Sequence, residues 1–156
     1  MTMIVGLMLD PARCVEKLSY YRRMIRFCAE WGYNTLLLHL TDDQGSAFHF
    51  RRYPEFSSPQ ALDAEEWQGL VAFAGRCGIE LVPEVESLGH TACITHTRRF
   101  AHLDDAPENR DEYSGICPLE PETLDLLADL FAEVAQVFPS RWLHVGCDEV
   151  VLGKHP

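Results

Sequence analysis

The segment "NTLLLHL" at residues 34–40 predicts a buried strand. It is a mostly apolar run of strand length, which is typical of a strand covered on both faces, as in a parallel sheet. The runs "MIVGLML" at 3–9 and "IELVPEV" at 79–85 have the same character, and "WLHVG" at 142–146 is predicted to be a fourth strand. These four strands alternate with helical patterns.

Three helices are predicted between the strands. The first runs from Val15 with apolar residues at a helical period and stops at Gly32. The second opens on Asp63 and Glu66, which have the spacing of a capping box, and the third starts at Pro121. The order β-α-β-α-β-α-β, joined by right-handed crossovers, predicts an α/β fold with a parallel sheet.

The two long connections, residues 41–62 and 87–119, both follow strands, the side on which α/β proteins build their sites. Taken singly, each acid in these positions has an ordinary structural explanation, because Asp is common at helix N-caps and in turns. Their joint placement on one rim favours a functional site. The polar residues just after the four strands are Asp10 and Arg13; Asp42 and Asp43; Glu84, Glu86 and His90; and Asp148 and Glu149.

The composition disfavours several classes of function. There are 13 basic and 24 acidic residues, and the resulting net charge of −11 disfavours a nucleic acid partner. No stretch of about 18 apolar residues predicts a membrane span, and no basic-then-apolar leader is visible. We therefore expect no membrane partner and a cytoplasmic location.

Neither the cysteines nor the histidines have the spacing of a metal site. The six cysteines include no CxxC pair, so we expect reduced thiols that pack as small hydrophobes. His90, His96 and His102 are close in sequence but lack an HExxH order, so we expect no metal and no cofactor. The three tryptophans are expected to be core or packing residues rather than platforms for a sugar: Trp31, Trp67 and Trp142.

Four motifs together resemble glycoside hydrolase family 20, the β-N-acetylhexosaminidases. They are "GLMLDPAR", "NTLLLHLTDDQG", "GIELVPEVESLGHT" and "HVGCDEV", in the order and spacing of that family. The resemblance covers essentially the whole chain and implies a (β/α)8 barrel, the TIM-barrel fold. It also implies an N-acetylhexosamine-containing glycoside or oligosaccharide as substrate.

The resemblance implies a role for each candidate site residue. Glu149 would be the general acid and base, and Asp148 would orient the 2-acetamido group of the substrate. Arg13 would hydrogen-bond hydroxyls of the sugar. His90, Asp42 and Asp43 would form a supporting network around Glu149, and of the two aspartates we favour Asp42 as the one that faces the site.

Two adjacent acids fit an unusual form of retaining glycoside hydrolysis. Retaining enzymes commonly place two carboxyl groups about 5 Å apart across the scissile bond, whereas family 20 is an exception that uses the substrate itself. The acetamido oxygen attacks the anomeric carbon and forms an oxazolinium intermediate. Asp148 would stabilise the charge of that ring, and Glu149 would protonate the leaving group.

The length and three departures from the family pattern carry further expectations. A full barrel takes about 250 residues, so residues 1–156 are expected to be the N-terminal half of the catalytic barrel, with the second half absent. Such a chain is expected to be inactive alone, and an oligomer that completes the barrel is one alternative. A truncated or degenerate sugar-binding remnant is another.

Cys147, Glu86 and Leu88 replace the Gly, Asp and Pro that are frequent in the family.

Overall fold

The structure, a computed structural model, describes residues 3–109 and 115–150. Its strands are β1 (Gly6–Leu9), β2 (Thr35–His39), β3 (Thr41–Asp42), β4 (Gly45–Phe48), β5 (Ser57–Leu62) and β6 (Glu80–Glu84). Its helices are α1 (Leu18–Glu30), α2 (Ala64–Arg76), α3 (Ala92–Thr95) and α4 (Pro121–Val137). Strands β1, β2 and β6 form a parallel sheet in that order, which confirms the predicted α/β class.

The central strand β2 divides its side chains between two faces, as the twofold period of a strand requires. Leu36 and Leu38 are buried in the main core together with residues of the helices. Leu37 points the other way and lines an apolar groove of about 430 Å³, with Met8 and Val82 of the neighbouring strands. His39 lies on this second face at the carboxyl end of the strand, because it is two residues beyond Leu37.

The helices pack through aromatic contacts. Tyr21 of α1 lies 5.5 Å from Trp67 of α2 between ring centroids, and Trp67 lies 5.6 Å from Phe138 at the end of α4. The capping box of Asp63 and Glu66 is present as predicted, with both hydrogen bonds formed. Within the described part of the chain, no helix is both long and apolar enough to cross a membrane.

The predicted fourth strand at 142–146 is only partly formed. It makes a single parallel bridge, His144 with Glu84, in which His144 N–H donates to the Pro83 carbonyl and the His144 carbonyl accepts from Val85. The chain then leaves the sheet, because Gly146 takes a left-handed turn with φ of 66°. Among the described residues, the main sheet therefore contains three complete parallel strands and one bridged segment.

The connection 41–62 contains a second small sheet that the sequence pattern did not predict. Strands β3, β4 and β5 form it in that order, and β4 is antiparallel to β3 and parallel to β5. Its strands are two to six residues long, and Pro59 and several small residues interrupt any alternation of apolar and polar positions. The segments are therefore too short and too irregular for hydrophobic periodicity to predict this sheet.

Two side-chain expectations are corrected by the structure. Trp67 is fully buried, but Trp31 is 71% and Trp142 is 47% exposed, so only one of the three tryptophans is a core residue. Trp142 instead lines the apolar groove on the open face of the sheet. All six cysteines are free thiols, as expected, although Cys14 and Cys147 are exposed rather than packed.

Candidate active site

The candidate site lies at the carboxyl ends of the parallel strands, and its deepest member is His39. Both ring nitrogens of His39 are bonded to carboxylates: Nε2 lies 2.7 Å from Asp42 Oδ2 and Nδ1 lies 2.9 Å from Glu84 Oε2. All three side chains are buried. Burial lowers the pKa of His39, but the hydrogen bonds to Glu84 and Asp42 outweigh it and raise the pKa to about 9. His39 is therefore an imidazolium at neutral pH and donates to both acids.

Asp42 connects this buried imidazolium to Arg13 at the surface. The carboxylate oxygen that bonds His39 lies 2.7 Å from Nη2 of Arg13, and Nη1 of Arg13 lies 2.8 Å from Asp10. The hydrogen bond to Asp10 raises the pKa of Arg13 against the opposing effect of partial burial, and the charge of Asp42 adds to the increase. Arg13 is held at two nitrogens while its side chain remains about half exposed, so it can still bind a ligand.

His90 joins the second aspartate to the adjacent acids. Its Nδ1 lies 3.4 Å from Asp43 Oδ2, and its Nε2 lies 3.2 Å from Glu149 Oε2 and 4.0 Å from Asp148 Oδ2. The other oxygen of Asp43 accepts the backbone N–H of Ala92 at the start of α3. Asp42 is thus the more deeply buried of the pair and faces Arg13, whereas Asp43 orients His90.

The segment with Asp148 and Glu149 is a turn rather than a strand end. Cys147 and Glu149 both have left-handed φ angles, 85° and 48°, which residues other than Gly rarely adopt. The side chains of Asp148 and Glu149 are 66% and 78% exposed and are open to a ligand. The turn packs closely on Gly89, where a Cβ atom would collide with the Asp148 carbonyl oxygen.

All six predicted site residues therefore form one connected cluster. His90 and Asp42 complete the connection, since Nδ1 and Oδ1 of the two lie 3.9 Å apart. Three buried members were given no role in the sequence analysis: Glu84 and Glu86, which it placed on the rim, and His39. His39 was ambiguous because a histidine inside an apolar strand is commonly structural. A detectable signal was its position at the end of a buried strand, directly before Leu40 and the "TDD" acids.

Two groups of side chains bring enough donor atoms together to hold a cation: His39 with Glu84 and Glu86, and Asp42 and Asp43 with His90. In the first group, the ring nitrogen of His39 and the Glu84 oxygen are already a donor and an acceptor 2.9 Å apart. His90 and Asp43 face each other in the same way at 3.4 Å. We therefore assign His39 with Glu84 and His90 with Asp43 as hydrogen-bonded pairs.

Comparison with known proteins identifies the family. Residues 5–155 match the catalytic domain of glycosyl hydrolase family 20, and the chain belongs to that family. A β-N-acetylhexosaminidase of Cellulomonas fimi is 32% identical over 96% of this chain and 34% of its own length. A β-hexosaminidase of Akkermansia muciniphila is 29% identical over 92% of this chain and 34% of its own length.

Solved structures of the family have the same fold. A chitobiase from Flavobacterium johnsoniae superimposes with a TM-score of 0.83 at 28% identity, over 94% of this chain and 24% of that chain. An exo-β-N-acetylglucosaminidase from Vibrio harveyi, solved in complex with N-acetylglucosamine, gives 0.80 at 26% identity over 94% of this chain and 27% of its own. The chain thus spans about a third or less of the length of these relatives.

His39 makes the stability of the protein depend on pH. Its folded pKa of about 9 lies above the ordinary 6.5, so its contribution is complete below pH 6.5 and is lost as pH rises through 9. We expect the free energy of unfolding to fall by roughly 3 kcal/mol across this interval. Urea unfolding at intervals from pH 6 to pH 10 measures the change.

The variant His39→Gln isolates this contribution. It removes the cation between two buried carboxylates and leaves Asp42 with Arg13 alone, so we expect it to be about 3–5 kcal/mol less stable than the parent protein at pH 6. Its stability should also lack the decrease between pH 6.5 and pH 9. A variant that kept the same decrease would show that another group is responsible.

Gly89→Ala tests the close packing beneath the adjacent acids. The added Cβ would meet the Asp148 carbonyl oxygen, so the turn must move, and we expect a loss of about 1–3 kcal/mol in urea unfolding. Gly69→Ala in α2 is the matched control, because a Cβ there has open space. It should stabilise the protein by about 0.5–1 kcal/mol. Equal stability of the two variants would contradict the packing.

Proposed function

We propose that the protein is a glycoside hydrolase that removes terminal N-acetylhexosamine, either N-acetylglucosamine or N-acetylgalactosamine. The observation that carries the proposal is the cluster of Arg13, His90, Asp148 and Glu149 at the carboxyl end of the sheet, in a chain of this family. The names of the relatives, β-N-acetylhexosaminidase and β-hexosaminidase, support the substrate class. The bound N-acetylglucosamine in the Vibrio harveyi relative supports it as well.

The exposed ends of the cluster suit recognition of a sugar. Arg13 is fixed by Asp10 and Asp42 and still exposes about half of its side chain, so its remaining N–H groups are free to donate to hydroxyl oxygens. A guanidinium held by two carboxylates loses little further conformational freedom when it binds. Arg13 would therefore position the sugar ring relative to the two acids.

Asp148 and Glu149 would divide the chemistry between them. The substrate acetamido oxygen attacks the anomeric carbon, and the bond from that carbon to the leaving oxygen breaks as Glu149 donates its proton to this oxygen. Asp148 accepts the amide N–H and balances the positive charge of the oxazolinium ring. Glu149 then removes a proton from water, which attacks the anomeric carbon and reopens the ring with net retention.

His90 and the two aspartates would support Glu149. His90 Nε2 lies 3.2 Å from the Glu149 carboxyl and Nδ1 faces Asp43, so the ring can orient Glu149 in both of its protonation states. Asp42 would act further away, through Arg13 and His39. These roles rest on contacts in the cluster.

The complete barrel is the proposed catalytic unit, and residues 1–156 would be its N-terminal half. The assay therefore uses this segment in a complete barrel, namely the Cellulomonas fimi relative with the matching segment replaced by residues 5–150. Hydrolysis of an aryl N-acetyl-β-glucosaminide and the corresponding galactosaminide is measured. Binding of the product sugar without hydrolysis would favour the sugar-binding remnant instead.

Glu149→Gln in that complete barrel tests the acid and base. Gln retains the shape of the side chain but transfers no proton, so we expect kcat to fall by about 10²–10⁴-fold with KM nearly unchanged. Steady-state kinetics on the aryl N-acetylglucosaminide measure both constants. Wild-type turnover by the variant would remove Glu149 from the mechanism.

Asp148→Asn tests the substrate-assisted step. A thiazoline analogue of the cyclic intermediate should inhibit the parent enzyme strongly, because catalytic sites bind such analogues more tightly than substrates. The Asn variant should be inhibited at least tenfold more weakly, since it lacks the carboxylate that balances the ring charge. The control substrate is a plain aryl glucoside, which lacks the internal nucleophile. Equal cleavage of glucoside and N-acetylglucosaminide would contradict the mechanism.

A further inference from the structure

The turn that presents the adjacent acids is strained and must be held in place. Gly146, Cys147 and Glu149 have φ angles of 66°, 85° and 48°, and the two that are not Gly each cost about 1–3 kcal/mol in this conformation. Such a backbone persists only where surrounding contacts stabilise it. The contacts to this turn therefore decide the position of both acids.

Glu86 contacts this turn at both Gly146 and Cys147. It follows β6 by two residues, is 1% exposed, and its Oε2 accepts the backbone N–H of Cys147 at 3.2 Å. Its carboxyl group lies directly against Gly146, where a Cβ atom would overlap both oxygens. The backbone N–H of Glu86 is itself fixed by Thr41 Oγ1 at 2.8 Å. Glu86 thus connects Thr41 at the end of the sheet to Cys147 in the turn through hydrogen bonds of its backbone and its side chain.

The second oxygen of Glu86 is unusual. Oε1 has no hydrogen-bond partner among the described residues, although it is buried, and it lies 3.7 Å from His39 Nδ1, which bonds Glu84 instead. A buried carboxyl oxygen without a partner is costly. The hydrogen bond from Cys147 N–H and the charge of His39 are the interactions that offset this cost.

We propose that Glu86 is a positioning residue that sets the conformation of the turn 146–149, and through it the placement of Asp148 and Glu149. This inference rests on the proposed function for its catalytic consequence, but the structural part does not depend on it. Ser87 adds a second contact, since its hydroxyl donates to the Val145 carbonyl. Glu86 differs from Ser87 in that it carries a titratable group.

Ionisation of Glu86 couples the turn to pH. Burial raises the pKa of Glu86 to about 7, the hydrogen bond from Cys147 N–H opposes the rise, and the charge of Asp148 adds to it. Because that hydrogen bond favours the ionised carboxylate, ionisation must in turn strengthen the hydrogen bond. The turn should therefore tighten as pH rises through 7. The charged and titratable groups around Glu86 are His39, Glu84, Cys147 and Asp148.

Amide hydrogen exchange of the 156-residue chain, followed by NMR, tests the inference without any substrate. The protection factor of the Cys147 amide, corrected for intrinsic exchange, should rise roughly tenfold between pH 6 and pH 8. Glu86→Gln keeps an acceptor oxygen at the same reach, so protection should persist while the pH step disappears. Glu86→Asp keeps the charge but loses the reach, so protection should fall at every pH.

The chain offers a matched control at the start of β6, the strand that precedes Glu86. Glu80 accepts the backbone N–H of Arg141 at 3.1 Å and the Ser140 hydroxyl at 2.8 Å, so it holds the other end of the same segment. Glu80→Gln should leave the protection and the pH step of Cys147 unchanged. The Val85 amide, which donates to the His144 carbonyl at 3.0 Å, is the internal reference for general loosening.

The outcomes separate this inference from the proposed function. Equal Cys147 protection in the parent chain, Glu86→Gln and Glu86→Asp would overturn the inference, as would a pH step that survives in Glu86→Gln. If Glu86→Asp fails to fold, Glu86→Gln alone tests the inference: loss of the pH-dependent rise in Cys147 protection supports it, and survival of that rise contradicts it. In a complete barrel, Glu86→Ala, which removes the acceptor of the Cys147 N–H, should lower kcat by roughly tenfold or more with KM nearly unchanged. Absence of N-acetylhexosaminidase activity in the parent barrel would refute the proposed function and leave the exchange result standing.

Discussion

The paired hydrogen bonds of His39 are the interaction on which the candidate site depends. One imidazolium, buried at the end of the central strand, neutralises Asp42 on one side and Glu84 on the other. Without it, two carboxylates would remain in a nearly water-free environment, where an unpaired charge is costly. Asp42 then fixes Arg13, and Glu84 contacts His144 of the bridged segment. A single side chain thereby links the first strand, the central strand and the segment that leads to Asp148 and Glu149.

The site has a rigid base and an exposed upper layer. The base consists of side chains that are buried and bonded to one another, namely His39, Asp42, Glu84 and Glu86. Arg13, Asp148 and Glu149 lie above it and remain accessible. This division follows general physical requirements, because groups that meet a substrate must be free to exchange water for ligand, while their placement requires partners that do not move.

The sequence alone predicted the parallel α/β sheet, and the boundaries of α2 and α4 agreed closely because a capping box and a helix-initiating Pro121 mark their starts. It did not predict the small sheet of β3, β4 and β5, whose strands are too short for a periodic signal. The sequence also predicted a full strand over 142–146, whereas the structure has one bridge there, at His144. An apolar run does not show that only one neighbouring strand is available for pairing. The rim residues were found from their positions after strands. The sequence favoured Asp42 over Asp43 as the aspartate that faces the site, but it did not predict their separate partners, Arg13 and His90, because these depend on backbone direction at two adjacent residues.

The contact between Glu86 and Gly146 links two positions that lie 60 residues apart. A side chain at 146 would overlap the Glu86 carboxyl, and the φ angle of 66° would strain any residue other than glycine whichever acid occupies position 86. The two positions therefore differ in the freedom they leave to sequence change. A combinatorial library that aims to reshape the turn should keep glycine at 146 and vary the length of the side chain at 86.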